Sequence, residues 1–243
     1  MIKWLILLLF AVPRILYSEI LLLFMNLNKK KYSLEKRYSI VRKTAIWVNY
    51  FLRVDMNITQ REIITTPHSK GRVYVSNHHN VYEVIALLVL SEKPLIFISK
   101  KENKKVPILN THLKAIDTLC IDRKDIRQSL RICKEAGKLA KNGFDIVIFA
   151  EGTRSKDGNV APFKAALPTI IHYSESETIL ICMHNTQKPL SWHFITYPKE
   201  HVNIRFFEPL TYDFYLQHKK EFNEVTRNMI QNQIEIYREK GVM

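Results

Sequence analysis

The sequence predicts an α/β fold: a single domain with a largely parallel central sheet flanked by helices, preceded by an N-terminal membrane-associated helical segment. Three observations carry that expectation. Short β-branched runs alternate with helical patterns between Gly71 and His184. Apolar residues crowd the first thirty positions, and the closing stretch returns to helical spacing. At 243 residues the chain suffices for one domain whose core needs no staples. With 47% hydrophobic and 25% charged residues, nine prolines and six glycines, it is neither collagenous nor of low complexity.

The amino-terminal run opens with nine apolar residues, Trp4 to Val12, and resumes with six more, Ile20 to Met25; Pro13, Arg14, Ser18 and Glu19 lie between. As one spanning helix, its Leu, Ile, Val and Phe residues contribute roughly 4 to 8 kcal/mol, against about 3 kcal/mol for Arg14 and a comparable cost for Glu19. Spanning is marginal on those figures. A break at Pro13 between two helices instead lets both apolar faces sit in one leaflet with the charges at the headgroups. A signal peptide competes, since Lys3 precedes the apolar run, but Val12-Pro13-Arg14 stands where a small-x-small cleavage site belongs. A buried core helix is the third reading.

Lys29, Lys30, Lys31, Lys36, Arg37, Arg42 and Lys43 follow, opposed only by Glu35. Near an anionic leaflet each is worth about 1 kcal/mol, which places residues 1–52 as an anchoring segment on a cytoplasmic membrane face. The bland alternative is a solvated basic helix. Residues 53–243 form the α/β domain.

Thr44 to Leu52 reads as an apolar-rich helix. Strand candidates are Arg72 to Ser76, Leu95 to Ser99, Thr118 to Asp122, Asp145 to Ala150, Thr178 to His184 and His201 to Phe207. The clearest helix between them is Asp125 to Lys141, with Ile126, Leu130, Cys133, Gly137 and Ala140 on one face. Asp125 and Gln128 form a capping box, and Asn142-Gly143 the stop. From Leu216 to Lys240, Phe222, Val225, Met229 and Ile236 mark a closing helix. In such a sheet, sites lie beyond the strands' carboxyl ends.

The balance of 37 Lys+Arg against 23 Asp+Glu, a net +14, calls for an anionic partner: nucleic acid, an acidic membrane surface or a phosphate-bearing substrate. Cys120, Cys133 and Cys182 are odd in number and widely spaced, so they suggest packing residues in a reducing setting rather than a disulfide framework or a zinc site. No metal is expected, because His78 and His79 are adjacent and no H-E-x-x-H occurs. No G-x-S-x-G supports a lipid esterase. No zinc-finger spacing, P-loop or aromatic RNP stretch supports nucleic acid as partner, although +14 keeps a non-enzymatic basic module as an alternative.

Three short stretches carry candidate chemistry. In Ser76-Asn-His-His-Asn-Val-Tyr-Glu-Val84 the histidines occupy a strand-to-helix turn, so His78 and Glu83 can meet, the acid fixing the tautomer and leaving the other ring nitrogen to accept a proton from an alcohol. The structural alternative is a histidine serving the turn and a glutamate complementing the helix dipole. Phe149-Ala-Glu-Gly-Thr-Arg-Ser155 combines a glycine, a hydroxyl and an arginine, a set able to hold phosphate or simply to make a turn. Cys120-Ile-Asp-Arg123 puts another arginine at a strand end, where an ion pair with Asp122 is the plain reading.

As an ordered set behind a membrane-seeking amino terminus, these motifs resemble the glycerolipid acyltransferases, in particular the 1-acylglycerol-3-phosphate (lysophosphatidic acid) acyltransferases, over roughly Val73 to Asn185. The resemblance implies that His78 is the catalytic histidine, since its partner acid lies five positions on at Glu83 while counting from His79 lands on Val84. It implies substrate-phosphate contacts for Arg123, for Glu151, Gly152, Thr153 and Arg154, and for Lys100 in Ser99-Lys-Lys-Glu102; Pro162-Phe-Lys164 matches a further segment. The implied activity is transfer of a fatty acyl group from acyl-CoA or acyl carrier protein to the free hydroxyl of lysophosphatidic acid, giving phosphatidic acid in phospholipid biosynthesis. No cofactor beyond that co-substrate is implied, and the partners are membrane lipids and the acyl carrier; a different lysolipid acceptor is the alternative. Four departures stand out: Glu83 for the family's usual aspartate, Asp117 for a glycine, which places an acid near the phosphate site, Cys182 for a proline, and Ala165-Ala166 for a K-x-G-A turn.

Overall fold

The computed structural model describes residues 5–155, 157–190 and 199–241. Lys3 and Trp4, which open the basic-then-apolar start, lie outside the described residues. Seven strands form one sheet: β1 (Val54–Thr59), β2 (Val73–Ser76), β3 (Leu95–Lys100), β4 (Leu119–Ile121), β5 (Asp145–Phe149), β6 (Thr178–His184) and β7 (Glu200–Phe206), in the order β1-β7-β6-β2-β5-β3-β4. Only the β6–β7 pairing is antiparallel. Strands β2 to β6 therefore point their carboxyl ends to one edge, as the alternating pattern predicts. β1 is an addition: Val54, Met56 and Ile58 alternate with polar residues, the pattern of a half-exposed edge strand.

The helices are α1 (Val12–Leu27), α2 (Leu34–Leu52), α3 (Glu62–Thr65), α4 (Tyr82–Leu90), α5 (Pro107–Ala115), α6 (Ile126–Lys141), α7 (Ala166–Ser174), α8 (Tyr212–Gln217) and α9 (Phe222–Glu239). Period-2 alternation sends Tyr74, Phe97, Val147, Ile179, Ile181 and Met183 into a core with α1, α2 and α4, and Val73, Val75, Ile96, Ile146, Ile148, Leu180 and Cys182 into a second core under α6, α7 and α9. Gly137 lets α6 lie close on α7, since a Cβ there would come within 2.6 Å of Ile170 O. Burial pushes the Cys133 thiol up to about 11, in keeping with a packing role.

The amino terminus corrects two expectations. Pro13 does not break the chain: a π-helical turn, Leu7–Ala11, leads without interruption into α1, and Pro13 falls in α1's first turn, just after the change of helical pitch. Residues Leu7–Leu27 thus form one 21-residue helix of mean hydropathy 2.0, long and apolar enough to cross a membrane. Nor is the whole basic run available to a membrane. Arg37 is buried and donates to Tyr32 O, Lys114 O, Ala115 O and both oxygens of Asp117, while Lys29 also pairs with Asp117. The carbonyls of Lys114 and Ala115 at the end of α5, together with the Asp117 carboxylate, give a guanidinium with five donors enough acceptors to be buried.

Asp117 adopts φ 49°, the left-handed conformation that suits the glycine it replaces. It precedes β4, at the edge opposite Arg123, so the acid expected beside the phosphate site staples the anchoring helices instead. Burial tends to raise the Asp117 carboxyl, but Arg37 and Lys29 prevail and hold it below its ordinary 3.8. A depressed carboxylate stabilises fully above the unfolded value and loses that contribution as pH falls through the lower folded value. Arg37→Ala should therefore cost about 3 kcal/mol at neutral pH. A thermal-melt comparison should show the gap between variant and parent narrowing below about pH 4.

Candidate active site

The turn after β2 brings the first two candidates together. His78 Nδ1 lies 2.6 Å from Glu83 Oε2. Glu83 sits in the first turn of α4, fully buried, and its other oxygen accepts from the amides of His79 (2.7 Å) and Asn80 (3.1 Å) and from the Thr186 hydroxyl (2.7 Å). No side chain caps α4 from its N-cap, Val81; Glu83 closes this end from inside the helix by reaching back to the amides of His79 and Asn80 in the turn ahead of it, where the helix dipole favours a negative charge. The extra methylene over aspartate gives that reach.

Donors occupy both Glu83 oxygens, so the ring proton of His78 belongs on Nδ1, facing Oε2. Nε2 is left as an acceptor without a partner among the described residues. Phe149 stacks on the imidazole, centroids 4.3 Å apart at 27°, which sets the ring plane. His79 is the contrast: it is buried, burial depresses its pKa, and its Nε2 has no hydrogen-bond partner among the described residues. Of the two histidines, only His78 binds the carboxylate through one ring nitrogen and is partly exposed.

Two side chains hold this turn to neighbouring strands. Asn77 Nδ2 donates to Met183 O (2.8 Å) and accepts from Met183 N at Oδ1 (2.9 Å), extending the β2–β6 ladder by a side chain. Glu151, buried after β5, accepts from the His78 amide (2.7 Å) with one oxygen and from the Ala161 amide (2.8 Å) with the other. Burial raises its pKa despite those two donors. Both oxygens face main chain, so Glu151 braces the histidine turn rather than offering acceptors to a ligand. Ser155 N donates to His78 O (2.8 Å), a second clasp, and the turn between requires Gly152 at φ 72°.

The remaining candidates are cations and a hydroxyl at the same edge. Thr153 and Arg154 are exposed in the loop clasped to His78, Lys100 ends β3 and Arg123 follows β4. Asp122 pairs with Lys101, not with Arg123. With neighbouring strands about 4.8 Å apart, the ends of β5, β3 and β4 stand about 5, 10 and 14 Å from the end of β2. Arg154 is thus the nearest cation in backbone position and Arg123 the furthest. Thr186 and the bracing role of Glu151 escaped the sequence reading: a lone threonine just past β6 carries no motif, and only its place at the carboxyl-end edge points to it.

A family model described as acyltransferase matches residues 55–183. A chloroplastic 1-acyl-sn-glycerol-3-phosphate acyltransferase of Brassica napus is 33% identical over 116 residues, 48% of this chain and 33% of that protein. One from Limnanthes alba is 27% identical over 157 residues, 63% of this chain and 55% of that protein. The chain thus spans about a third of the length of the first relative and about half of the second. The crystal structure of a 1-acyl-sn-glycerophosphate acyltransferase from Thermotoga maritima superposes with a TM-score of 0.72 at 20% identity, covering 98% of this chain and 95% of that one, a likeness of fold.

Proposed function

Because the chain belongs to the acyltransferase family, we propose that it moves a fatty acyl group from an acyl thioester, on coenzyme A or acyl carrier protein, to the free hydroxyl of lysophosphatidic acid, forming phosphatidic acid at the cytoplasmic face of a membrane. The observation that carries this reading is the 2.6 Å His78–Glu83 contact with Nε2 open at an edge that also holds Arg154, Lys100 and Arg123. Its relatives bear the name of that reaction.

A glycerol hydroxyl is a poor nucleophile at neutral pH. Nε2 takes its proton as the oxygen attacks the thioester carbonyl, and Glu83 stabilises the imidazolium across Nδ1. Collapse of the tetrahedral adduct breaks the C–S bond, and the leaving thiolate receives the proton held on Nε2. No covalent enzyme intermediate is needed. Arg154, Lys100 and Arg123 hold the acceptor's phosphate, and Thr153 adds a hydroxyl, so the attacking oxygen is positioned by its own headgroup.

Release of free thiol from acyl-CoA that depends on added lysophosphatidic acid tests the reading. Release without acceptor would make the protein a thioesterase, and no release from either acyl-CoA or acyl carrier protein would remove the enzymatic reading. Loss of one charged hydrogen-bond donor is worth about 1.5 to 3 kcal/mol. Arg154→Ala is accordingly expected to raise KM for lysophosphatidic acid about tenfold or more, with little effect on an acceptor lacking the phosphate. Thr186→Val leaves Glu83 Oε1 one donor short and should lower kcat about tenfold at unchanged KM, whereas Thr186→Ser restores it.

Membrane attachment is part of the same proposal. One side of α1 packs on the body through Ser18, Leu22 and Met25, while Leu16, Tyr17, Ile20, Leu23, Phe24 and Leu27 face outward. A helix bound to the domain along its length suits insertion of that outward face into one leaflet. Lys30, Lys31, Lys36 and Lys43, exposed at its flank, supply the contact with anionic headgroups.

A further inference from the structure

Resting on the acyl-transfer reading above, we propose that the exposed face of α6 docks an acidic carrier protein that delivers the acyl thioester. Arg127, Arg131, Lys134 and Lys138 follow one another at intervals of four, three and four, which stacks them on one helix face. The line is about 16 Å long at 1.5 Å per residue. The four line one open groove together with Leu130, and Glu135 is the single acid among the lining residues. Arg127, Arg131 and Lys138 have no ion-pair partner among the described residues; Lys134 rests over the Tyr173 ring at 5.3 Å. Two neighbouring cations, by contrast, are paired with local carboxylates: Lys141 with Glu175 and Arg72 with Glu177. A line of unspent positive charge, flanked by the exposed side chains of Ile126 and Leu130, is complementary to an anionic protein surface.

Position selects the occupant. α6 begins three residues after Arg123, so its amino-terminal end lies at the edge that holds His78 and the rest runs back along the domain. It belongs to the layer across the sheet from α1 and α2, so a leaflet gripped by α1 does not meet it. The nucleotide end of coenzyme A calls for an enclosed site with donors converging from several elements; cations strung along one helix beside an open groove fit a larger partner. From the end of β4 the gap to β2 is about 14 Å, a distance for a flexible thioester arm to cross while its carrier stays on α6.

The test uses the full chain and the double variant Arg131→Glu/Lys134→Glu, with lysophosphatidic acid as acceptor and the same acyl group on acyl carrier protein or on coenzyme A. The variant is expected to raise KM for the acyl carrier protein about tenfold, with KM for acyl-CoA and flotation on phosphatidylglycerol vesicles unchanged. Added salt should weaken the parent's use of the carrier protein and leave the variant's largely as it was. The milder Arg131→Gln/Lys134→Gln should fall between the two. Equal loss with both donors, loss with acyl-CoA alone, loss of vesicle binding, or no change would overturn the assignment, the second pointing to a nucleotide site and the third to a lipid surface. A parent that uses acyl-CoA but not the carrier protein would sink the docking surface and leave the reaction standing. Should neither donor acylate lysophosphatidic acid, the reaction falls, and direct titration of the two variants with acyl carrier protein decides the docking by itself.

Discussion

His78→Ala should lower kcat for acyl transfer about a thousandfold or more, while the variant still folds and binds vesicles. General-base assistance contributes about 10² to 10⁴, and His78 Nε2 is the acceptor that the Glu83 contact leaves open for the hydroxyl proton. The fold is expected to survive because the ring is partly exposed and its removal costs one stacking contact with Phe149 and one bond to Glu83. Glu83 keeps three donors at its other oxygen, which limits the cost of leaving Oε2 without the ring. Single-turnover assay beside circular-dichroism melting separates the two effects. A His78→Ala protein that melts like the parent and transfers at more than a tenth of its rate would leave the imidazole without a catalytic role. His78→Gln sharpens the comparison, since its amide can still donate to Glu83 but cannot serve as a base.

The sheet was legible because its central strands are buried apolar runs closed by polar punctuation, and because β2, β3, β4 and β5 each feed a helix that returns to a parallel strand. β1 was missed for a local reason. It follows α2 directly at Leu52–Val54 with no turn signal between, and it is an edge strand with only one apolar face. Pro13 misled for a related reason: proline ends a helix only if the chain offers no way to absorb the missing bond, and the π-turn just ahead of it does so. Half of the capping box held. Asp125 accepts from Gln128 N, but the Gln128 side chain turns to Asp122 N and Cys120 O, tying α6 to β4 instead of closing the box.

At the site, the pairing of His78 with Glu83 followed from spacing across a turn, whereas roles set by long-range contact did not. Glu151 looks like part of an anion loop until its two oxygens are traced to the amides of His78 and Ala161, 73 and 10 residues away. Arg37 looks like a headgroup cation until α5 ends above it. Sequence records the charge of a residue. Burial decides whether that charge meets solvent, a ligand or the chain's own carbonyls.

Glu83→Gln carries the other large effect and is the more searching test, because it changes charge with almost no change in shape. The carboxylate accepts from the imidazole at one oxygen and from two amides and a hydroxyl at the other. An amide has one oxygen and one nitrogen to serve those two places. With its oxygen left on the α4 cap, where three donors compete for it, its NH2 faces His78 Nδ1 and turns the ring proton onto Nε2. The base is then in the wrong tautomer, and an imidazolium formed during attack has no negative partner. By analogy with the corresponding change in an acid–histidine pair, the expected loss in kcat is about 10³ to 10⁴, with KM for either substrate nearly unchanged. Glu83→Asp keeps the charge but loses a methylene of reach, so it cannot hold both the ring and the cap at their present distances. The ring contact is the one the reaction uses, and retention of activity within about tenfold, with a lower melting temperature from the weakened cap, is the expected pattern. Gln active and Asp dead would invert it and assign Glu83 to the helix end alone.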